Sequence, residues 1–288
     1  MENEEKQWTT VIKPKTGWFE LNLKELFHYM DLIFLFVKRN FTSLYKQTIL
    51  GPLWAIIQPF LTTVVFTLVF GGIAGLDTGG VPSFIFYMCG NIAWGYFSQC
   101  FTSTANTFTG NAAIFGKVYF PRMVIPISVV LTNLISFFIQ FLFFICFWIY
   151  YVITDPAVQP NWTIALIPLM LLQMAILGLG FGIIVSSVTT KYRDLSMLVS
   201  FGIQLWMYAT PVAYSTSLIA ESPSLSKYMG LYMLNPLTPL IESFKNAFLG
   251  TGAVDVVYIL ISWAITLVVL FIGVILFNRV EKSFMDTV

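Results

Sequence analysis

The sequence predicts an all-α integral membrane protein with six transmembrane helices, an N-terminal amphipathic interface helix, and an external re-entrant segment between helices five and six. Two observations carry this prediction. The 288 residues are 57% hydrophobic and 10% charged, with a mean hydropathy of +0.80, a composition that soluble globular proteins do not have. The few charged residues are also unevenly distributed, because six stretches of 23 to 39 residues contain no Asp, Glu, Lys or Arg.

Each charge-free stretch is long enough for one membrane-spanning helix. About 20 helical residues cross a hydrocarbon core of about 30 Å, and a charge at the centre costs roughly 3 kcal/mol on insertion scales. We therefore predict spans at residues 53–74, 84–105, 123–152, 162–188, 196–214 and 256–277. The chain then divides into a cytoplasmic N-terminal segment (1–52), a six-helix membrane domain (53–277) and a cytoplasmic tail (278–288).

The basic residues predict the orientation of these spans. Lys and Arg near span ends are retained on the cytoplasmic side of a membrane. With the N-terminus inside, 13 of the 15 Lys and Arg residues lie in cytoplasmic segments, and only Lys227 and Lys245 lie outside. Both termini are thus predicted to be cytoplasmic. The formal net charge of +1 gives no support to a nucleic-acid partner.

Residues 22–39 have the apolar spacing of an amphipathic helix. Its apolar positions are Leu23, Leu26, Phe27, Met30, Ile33, Phe34 and Val37. Asn22 and Glu25 have the spacing of a capping box, which stabilises a helix start. We predict that this helix lies in the cytoplasmic interface. Whether it only anchors the N-terminus or transmits force to the first span is open at this point.

Four spans carry uncharged polar and aromatic residues at helical spacing. These residues are Trp54, Gln58 and Thr62; Tyr87, Asn91, Ser98 and Thr102; Asn133, Ser136 and Gln140; and Phe201, Gln204 and Tyr208. Polar side chains within a membrane cost free energy unless they face other helices or water. The stripes therefore predict an uncharged water-filled path through the membrane. Helix packing by interhelical hydrogen bonds is the alternative, and the sequence leaves both open.

The segment between the last two spans, residues 215–250, is too short and too rich in proline to cross twice. An apolar helix at 239–249, carrying Glu242 and Lys245, is predicted to lie at the external surface. A surface hairpin without a gating role is the alternative. In the fourth span, Gly178 and Gly182 form a G-x-x-x-G pair that predicts close helix packing.

Several kinds of chemistry have no support in the sequence. The three cysteines lie within predicted spans without metal or redox spacing, and His28 is the sole histidine, so no catalytic residue and no metal site is predicted. No span contains the buried Asp, Glu or His that ion-coupled carriers use. The G-x-x-x-x-G-K-[ST] motif that cradles phosphates is also missing. We therefore predict no cofactor bound by this chain.

Short motifs occur in order along the chain. They are Tyr45-Lys46-Gln47-Thr48 before Leu50-Gly51-Pro52-Leu53-Trp54, Gly116-Lys117-Val118-Tyr119-Phe120-Pro121-Arg122, Lys191-Tyr192-Arg193-Asp194, and Leu234-Asn235-Pro236-Leu237. With these motifs the chain resembles the permeases of type-2 ABC exporters over about residues 20–282. More narrowly, it resembles those that export O-antigen, capsular polysaccharide or teichoic acid.

The resemblance implies a homodimer in the bacterial inner membrane. Two copies of a separate ATPase subunit would hold ATP and Mg, and the substrate would be a lipid-linked glycan. It implies that the ATPase is contacted by Tyr45, Lys46, Gln47, Thr48, Tyr192, Arg193 and Asp194. It also implies a translocation path lined by the stripes, chiefly Trp54, Gln58, Thr62, Tyr87, Asn91, Ser98, Phe201, Gln204 and Tyr208, and an external gate at Asn235 and Pro236.

Three other functions remain open from the sequence. The same fold could export small hydrophobic drugs or lipids, which a narrow dry cavity without polar stripes would favour. A membrane-embedded glycan-processing enzyme would need clustered external carboxylates, whereas Asp77, Asp155, Glu221 and Asp255 are scattered. A non-catalytic assembly scaffold would have no ATPase partner.

Overall fold

A computed structural model describes residues 23–46, 48–115, 120–190, 192, 194–252 and 254–287. Several residues singled out above lie outside the described residues, namely Asn22, Gln47, 116–119, Lys191 and Arg193. The described part of the chain is helical and contains no strand. This confirms the all-α fold class.

The described residues form helices α1 to α12 in chain order. Their bounds are α1 Leu23–His28, α2 Met30–Tyr45, α3 Trp54–Phe66, α4 Ser83–Ala105, α5 Thr107–Phe115, α6 Val124–Thr154, α7 Ile167–Thr189, α8 Leu195–Tyr208, α9 Thr216–Glu221, α10 Met229–Met233, α11 Leu237–Leu249 and α12 Val256–Thr287. Short 3₁₀ turns precede α3, α7 and α10, at Gly51–Leu53, Trp162–Leu166 and Ser226–Tyr228. A π-helical segment, Thr67–Ile73, continues α3.

Four helical stretches are long and apolar enough to cross a membrane, and they coincide with predicted spans one, three, four and six. They are Gly51–Ile73, Val124–Thr154, Trp162–Thr189 and Val256–Val280. Helix α4 occupies the predicted second span with 23 residues, but its polar stripe lowers its hydropathy. Helix α8, in the fifth, has 14 residues. The count of six spans stays a prediction.

The predicted fifth span, 196–214, is wrong at its C-terminal end, because α8 ends at Tyr208. Pro211 has no N–H with which to donate to the carbonyl of Met207, and it disfavours helical backbone at the residue before it. The Thr210 amide instead donates to the Met207 carbonyl at 3.3 Å, a tighter turn that ends the helix.

The interface helix also differs from its predicted bounds of 22–39. It is interrupted at Tyr29 and then continues to Tyr45, so the helix extends into the segment that the resemblance assigns to the ATPase contact. The reason is that Phe41 and Leu44 continue the apolar spacing of Val37 at i+4 and i+7.

Helix α11 corrects a third expectation, since it does not lie at the surface. Twelve of its 13 residues are buried, including Glu242 and Lys245. The two charged residues suggested a solvent-facing side. In the structure, Lys245 donates to two interior carbonyls and Glu242 meets Thr216, although Glu242 Oε1 has no partner among the described residues. At the other end of the chain, α12 runs through residue 277 to Thr287, so no helix end marks the predicted tail.

Helix α4 lies at the centre of the bundle, with 16 of its 23 residues buried against α3, α6, α7 and α11. Two glycines of α7 permit its close approach to α4. A Cβ atom at Gly178 would lie 2.7 Å from Cys100 Cβ, and one at Gly182 would lie 2.4 Å from Thr104 Cβ. This confirms the close packing predicted from the G-x-x-x-G spacing. A Cβ atom at Gly180 would point the other way and lie 3.1 Å from the backbone of Leu270 in α12.

Candidate functional site

A groove of about 540 Å³ brings three of the four sequence stripes together. We call it the polar groove. It is walled by α3, α4 and α6, with the end of α2 and one residue of α8 at its edge. Its polar lining residues are Tyr45, Gln58, Thr62, Asn91, Ser98, Gln99, Thr102, Ser103, Asn133, Ser136 and Gln140, and the aromatic rings of Trp54 and Trp94 lie among them. None of the lining residues carries a charge.

Helical periodicity explains why these side chains converge. Asn91, Ser98 and Thr102 are separated by seven and four residues, which places them on one face of α4. The Thr102 hydroxyl donates to the Ser98 carbonyl at 2.7 Å, and the Thr62 hydroxyl donates to the Gln58 carbonyl at 3.0 Å. These bonds satisfy the hydroxyl protons within each helix and leave the oxygen lone pairs facing the groove.

Amide side chains supply hydrogen-bonding capacity that the described residues do not use. Asn91 Nδ2 donates to Thr63 Oγ1 at 3.3 Å, whereas Asn91 Oδ1 is buried and accepts no hydrogen bond from the described part of the chain. The amides of Gln58, Gln99 and Gln140 likewise bond to nothing in that part. Buried polar atoms are normally paired with protein or with water. The groove is therefore suited to water or to a hydroxyl-rich ligand.

Tyr45 joins the groove to the N-terminal helix. The sequence assigned it to a surface that contacts an ATPase, yet its side chain lines the groove and its hydroxyl lies 3.4 Å from Ser136 Oγ of α6. Lys46 and Thr48 next to it are exposed, and the Thr48 hydroxyl donates to the Tyr45 carbonyl at 2.8 Å. One short segment thus has one residue in the groove and its neighbours on the outside.

The second predicted contact segment is exposed as well. Tyr192 is 52% exposed, and Asp194 occupies the N-cap position of α8 without a side-chain capping bond. The Asp194 carbonyl accepts a hydrogen bond from the Met197 amide at 3.1 Å, which begins the helix.

Tyr87, which was also predicted to line the path, does not line the groove in the single chain. Its side chain is completely buried, and the rings of Phe66 and Phe70 lie with centroids 6.3 and 6.4 Å from its ring. Tyr87 is on the same face of α4 as Asn91, but the last turns of α3 cover it at that level.

The fourth stripe lies outside the groove in the single chain. Phe201 and Tyr208 are 60% and 54% exposed, and Gln204 is exposed between them. Only Ile203 of α8 is buried, and Met207 is the residue by which α8 reaches the groove edge. The spacing of polar residues could not identify Met207 as a groove residue. Methionine is apolar, and it is just as common in contacts between packed helices as in the lining of a groove.

At the predicted external end, Asn235 connects α8 to α11. Its Oδ1 accepts from Trp206 Nε1 at 3.1 Å and from the Leu237 amide at 3.2 Å. Its Nδ2 donates to the Ala209 carbonyl at 3.1 Å and lies 3.2 Å from Thr210 Oγ1.

Pro236 extends this connection to two further helices. Its carbonyl accepts from the Ser262 hydroxyl of α12 at 2.6 Å, and Gln173 of α7 donates to Ser262 Oγ at 2.7 Å. The two residues assigned to an external gate therefore lie where α7, α8, α11 and α12 are hydrogen-bonded together.

Lys245 holds the segment that follows this end of α8. Its Nζ donates to the carbonyls of Pro211 and Tyr214, and it lies 3.7 Å from the centre of the Phe86 ring. Burial lowers the pKa of Lys245 to about 8, with Glu242 opposing that shift, and burial raises the pKa of Glu242. Sequence reasoning missed this role, because it placed both residues at the surface.

The bundle of long apolar helices around an uncharged groove has the organisation of a transporter membrane subunit. The sequence model of the ABC-2 type transporter family matches residues 31–249, and the chain belongs to that family. It is a multi-pass membrane permease and not an enzyme.

Its relatives point to one branch of that family. An O-antigen export system permease protein RfbA from Klebsiella pneumoniae is 29% identical over 266 residues, covering 92% of this chain and 96% of the relative. The protein of the same name from Myxococcus xanthus is 27% identical over 267 residues, covering 92% of this chain and 98% of the relative.

Proposed function

We propose that this chain is the permease subunit of an ATP-driven exporter that moves a lipid-linked polysaccharide, of O-antigen, capsule or teichoic acid type, across the bacterial inner membrane. The observation that carries the proposal is the polar groove, in which three helices present amides, hydroxyls and aromatic rings without a charge. The names of the full-length relatives support the same substrate class.

The chemistry of the groove suits a glycan. Each sugar hydroxyl would cost roughly 2–7 kcal/mol if it entered an apolar phase without a hydrogen-bond partner. Side chains such as Gln58, Asn91 and Gln140 replace part of that lost hydration. Trp54 and Trp94 offer flat apolar surfaces to sugar rings. Because no charged residue lines the groove, a passing polymer is solvated without being held tightly. This polarity disfavours export of small hydrophobic drugs.

A homodimer completes the path. The groove is open to one side, and the helices that flank the opening have exposed apolar residues, including Leu61 and Val65 on α3 and Phe201 and Leu205 on α8. These faces would meet at a two-fold axis, as is usual for homo-oligomers. In that arrangement Phe201, Gln204 and Tyr208 would face the path, which is the role that the sequence predicted for them.

The motor is a second polypeptide. Two copies of an ATPase subunit, which bind ATP and Mg, would contact the exposed parts of the 45–48 and 192–194 segments, and both termini would lie on that cytoplasmic side. Movement of the 45–48 segment would reach the groove directly, because Tyr45 hydrogen-bonds to Ser136. At the opposite end, Asn235 and Pro236 would transmit movement of α8 to α11 and α12.

Reconstitution with the cognate ATPase tests the proposal. In proteoliposomes, lipid-linked glycan should stimulate ATP turnover and appear on the far side of the membrane only with ATP. Replacing Lys46 with alanine should reduce glycan transport per ATP, whereas Lys38→Ala, an exposed lysine of α2 at a distance from the segment, should not. ATP turnover that is indifferent to glycan, with no glycan translocated, would reject the proposed function.

A further inference from the structure

A second large groove, which we call the apolar groove, runs between α6 and α7. Its volume is about 700 Å³. Leu134 and Phe138 of α6 face Leu172 and Ala175 of α7 across it, and Phe248 of α11 closes one end. Both walls are helices long and apolar enough to cross a membrane. The groove exists because α6 packs mainly against α4 and α2, and α7 mainly against α4 and α12, rather than against each other.

The length of the apolar groove matches the membrane. On α6 the lining residues extend from Ile127 to Trp148, which corresponds to about 31 Å at 1.5 Å per residue. The hydrocarbon core of a bilayer is about 30 Å thick.

The side chains that line the apolar groove offer almost no hydrogen-bonding groups to water. Tyr96 and Trp148 are the only lining residues with polar side-chain atoms, and both are already paired. Trp148 Nε1 donates to the Phe248 carbonyl at 2.7 Å, and Tyr96 is buried with its hydroxyl next to the Cys100 thiol. A buried water needs two to four polar partners, so hydrocarbon is the filling that this lining favours.

The opening of the apolar groove faces lipid. Phe138 and Leu172 at its rim are 49% and 51% exposed, and they continue into exposed apolar residues such as Leu142 and Leu169 on the same outer surface. On α6, the apolar lining lies about 130° around the helix from Asn133, Ser136 and Gln140 of the polar groove. The two grooves therefore open in different directions, and the proposed dimer axis is on the side of the polar one.

We propose that the apolar groove binds the acyl chains of membrane phospholipid, which fill the space between α6 and α7. The occupant is an ordinary phospholipid, because none of the lining residues carries a charge or a free hydrogen-bonding group that could select a particular headgroup. Under that condition the most abundant lipid of the membrane occupies the site. The chains hold α6 and α7 apart at the distance that the bundle requires. This proposal depends on the membrane setting alone and not on the glycan substrate.

Native mass spectrometry of the full chain, purified in mild detergent, tests this site. Leu134→Trp combined with Ala175→Trp fills the apolar groove, and Leu142→Trp adds the same ring on the neighbouring lipid face, where Leu142 is 66% exposed and does not line the groove. The wild type and Leu142→Trp should carry phospholipid-mass adducts, which should fall about twofold or more in the groove-filled variant. Extraction and lipid analysis of each sample identify the adducts.

Either of two results would overturn the proposal. Adducts as abundant in the groove-filled variant as in Leu142→Trp would place the retained lipid elsewhere, and a polyprenyl lipid as the main extracted species would give the groove to the glycan carrier. If the double variant does not elute as a folded species, Ala175→Leu occupies part of the same space with less strain. The abundance of its phospholipid adducts should lie between that of the wild type and the level of non-specific adducts. Unchanged adducts for a folded Ala175→Leu would count against the site equally.

Discussion

Replacing Asn235 with alanine should destabilise the protein far more than its partial exposure suggests. The side chain accepts hydrogen bonds from Trp206 Nε1 and the Leu237 amide, and it donates to the Ala209 carbonyl. It also bonds to Thr210, whose hydroxyl keeps a second bond to the Trp206 carbonyl at 2.8 Å. The substitution therefore leaves two N–H donors without an acceptor.

Those two donors set the magnitude. A donor that loses its partner and stays dry costs about 1–3 kcal/mol. Water can reach part of this half-buried site, so we take the low end for each donor and add the lost bond to Ala209. The expected total is about 2–4 kcal/mol of unfolding free energy. Asn235→Asp should be destabilising too, because a carboxylate oxygen would then face the Ala209 carbonyl.

Buried thiols provide the assay. Cys89 and Cys100 are fully buried, whereas Cys146 is exposed, so a Cys146→Ser background confines a thiol-reactive dye to unfolded protein. Melting of detergent-purified Asn235→Ala is compared with that of Asn106→Ala, an exposed asparagine with one local bond to the Thr102 carbonyl. The Asn235 variant should melt clearly lower than the control. Equal melting temperatures would refute the connecting role of Asn235 between α8 and α11.

Three further predictions concern the bundle and the groove. Gly182→Ala should cost about 1–3 kcal/mol by driving a methyl group into Thr104, whereas Gly202→Ala on α8, where a Cβ meets no atom within 4 Å, should be neutral or stabilising in the same melting assay. Gln140→Leu should lower glycan transport in proteoliposomes while leaving the melting temperature near that of the wild type; transport at the wild-type rate would remove this amide from the path. The folded-state pKa of Lys245 is lowered from 10.5 to about 8, so the unfolded chain binds more protons between those values and stability should rise with pH in that window. Lys245→Met should lose that rise, and an unchanged pH profile would contradict it.

The membrane spans could be predicted because lipid penalises charge so strongly that its absence marks them. The four predicted spans that coincide with long apolar helices all follow from that one effect. The ends of helices were harder to predict, since they depend on whether the next few residues favour continuing the helix or ending it. Pro211 ended α8 early, while Phe41 and Leu44 extended α2 beyond its predicted end at residue 39.

The polar groove was predictable on α3, α4 and α6, because polar residues at helical spacing have few stable alternatives in lipid. Tyr87 lies outside the groove for a reason that residue spacing cannot predict, namely that the rings of Phe66 and Phe70 cover it. Glu242 and Lys245 were predicted to be exposed but are buried. Charge usually indicates a surface position, and the partners that permit burial come from distant parts of the chain. The apolar groove left no signal, as its lining is indistinguishable from any apolar helix face.

Thiol accessibility tests the central claim, that the polar groove holds water within the membrane domain. In a background without native cysteines, Ser98→Cys would be placed in the polar groove and Leu134→Cys in the apolar groove. Both variants, reconstituted with the ATPase, would be treated with a membrane-impermeant cationic methanethiosulfonate during ATP turnover. The account predicts that the cysteine at position 98 reacts and the one at 134 does not. Protection of position 98 in every nucleotide state would contradict it.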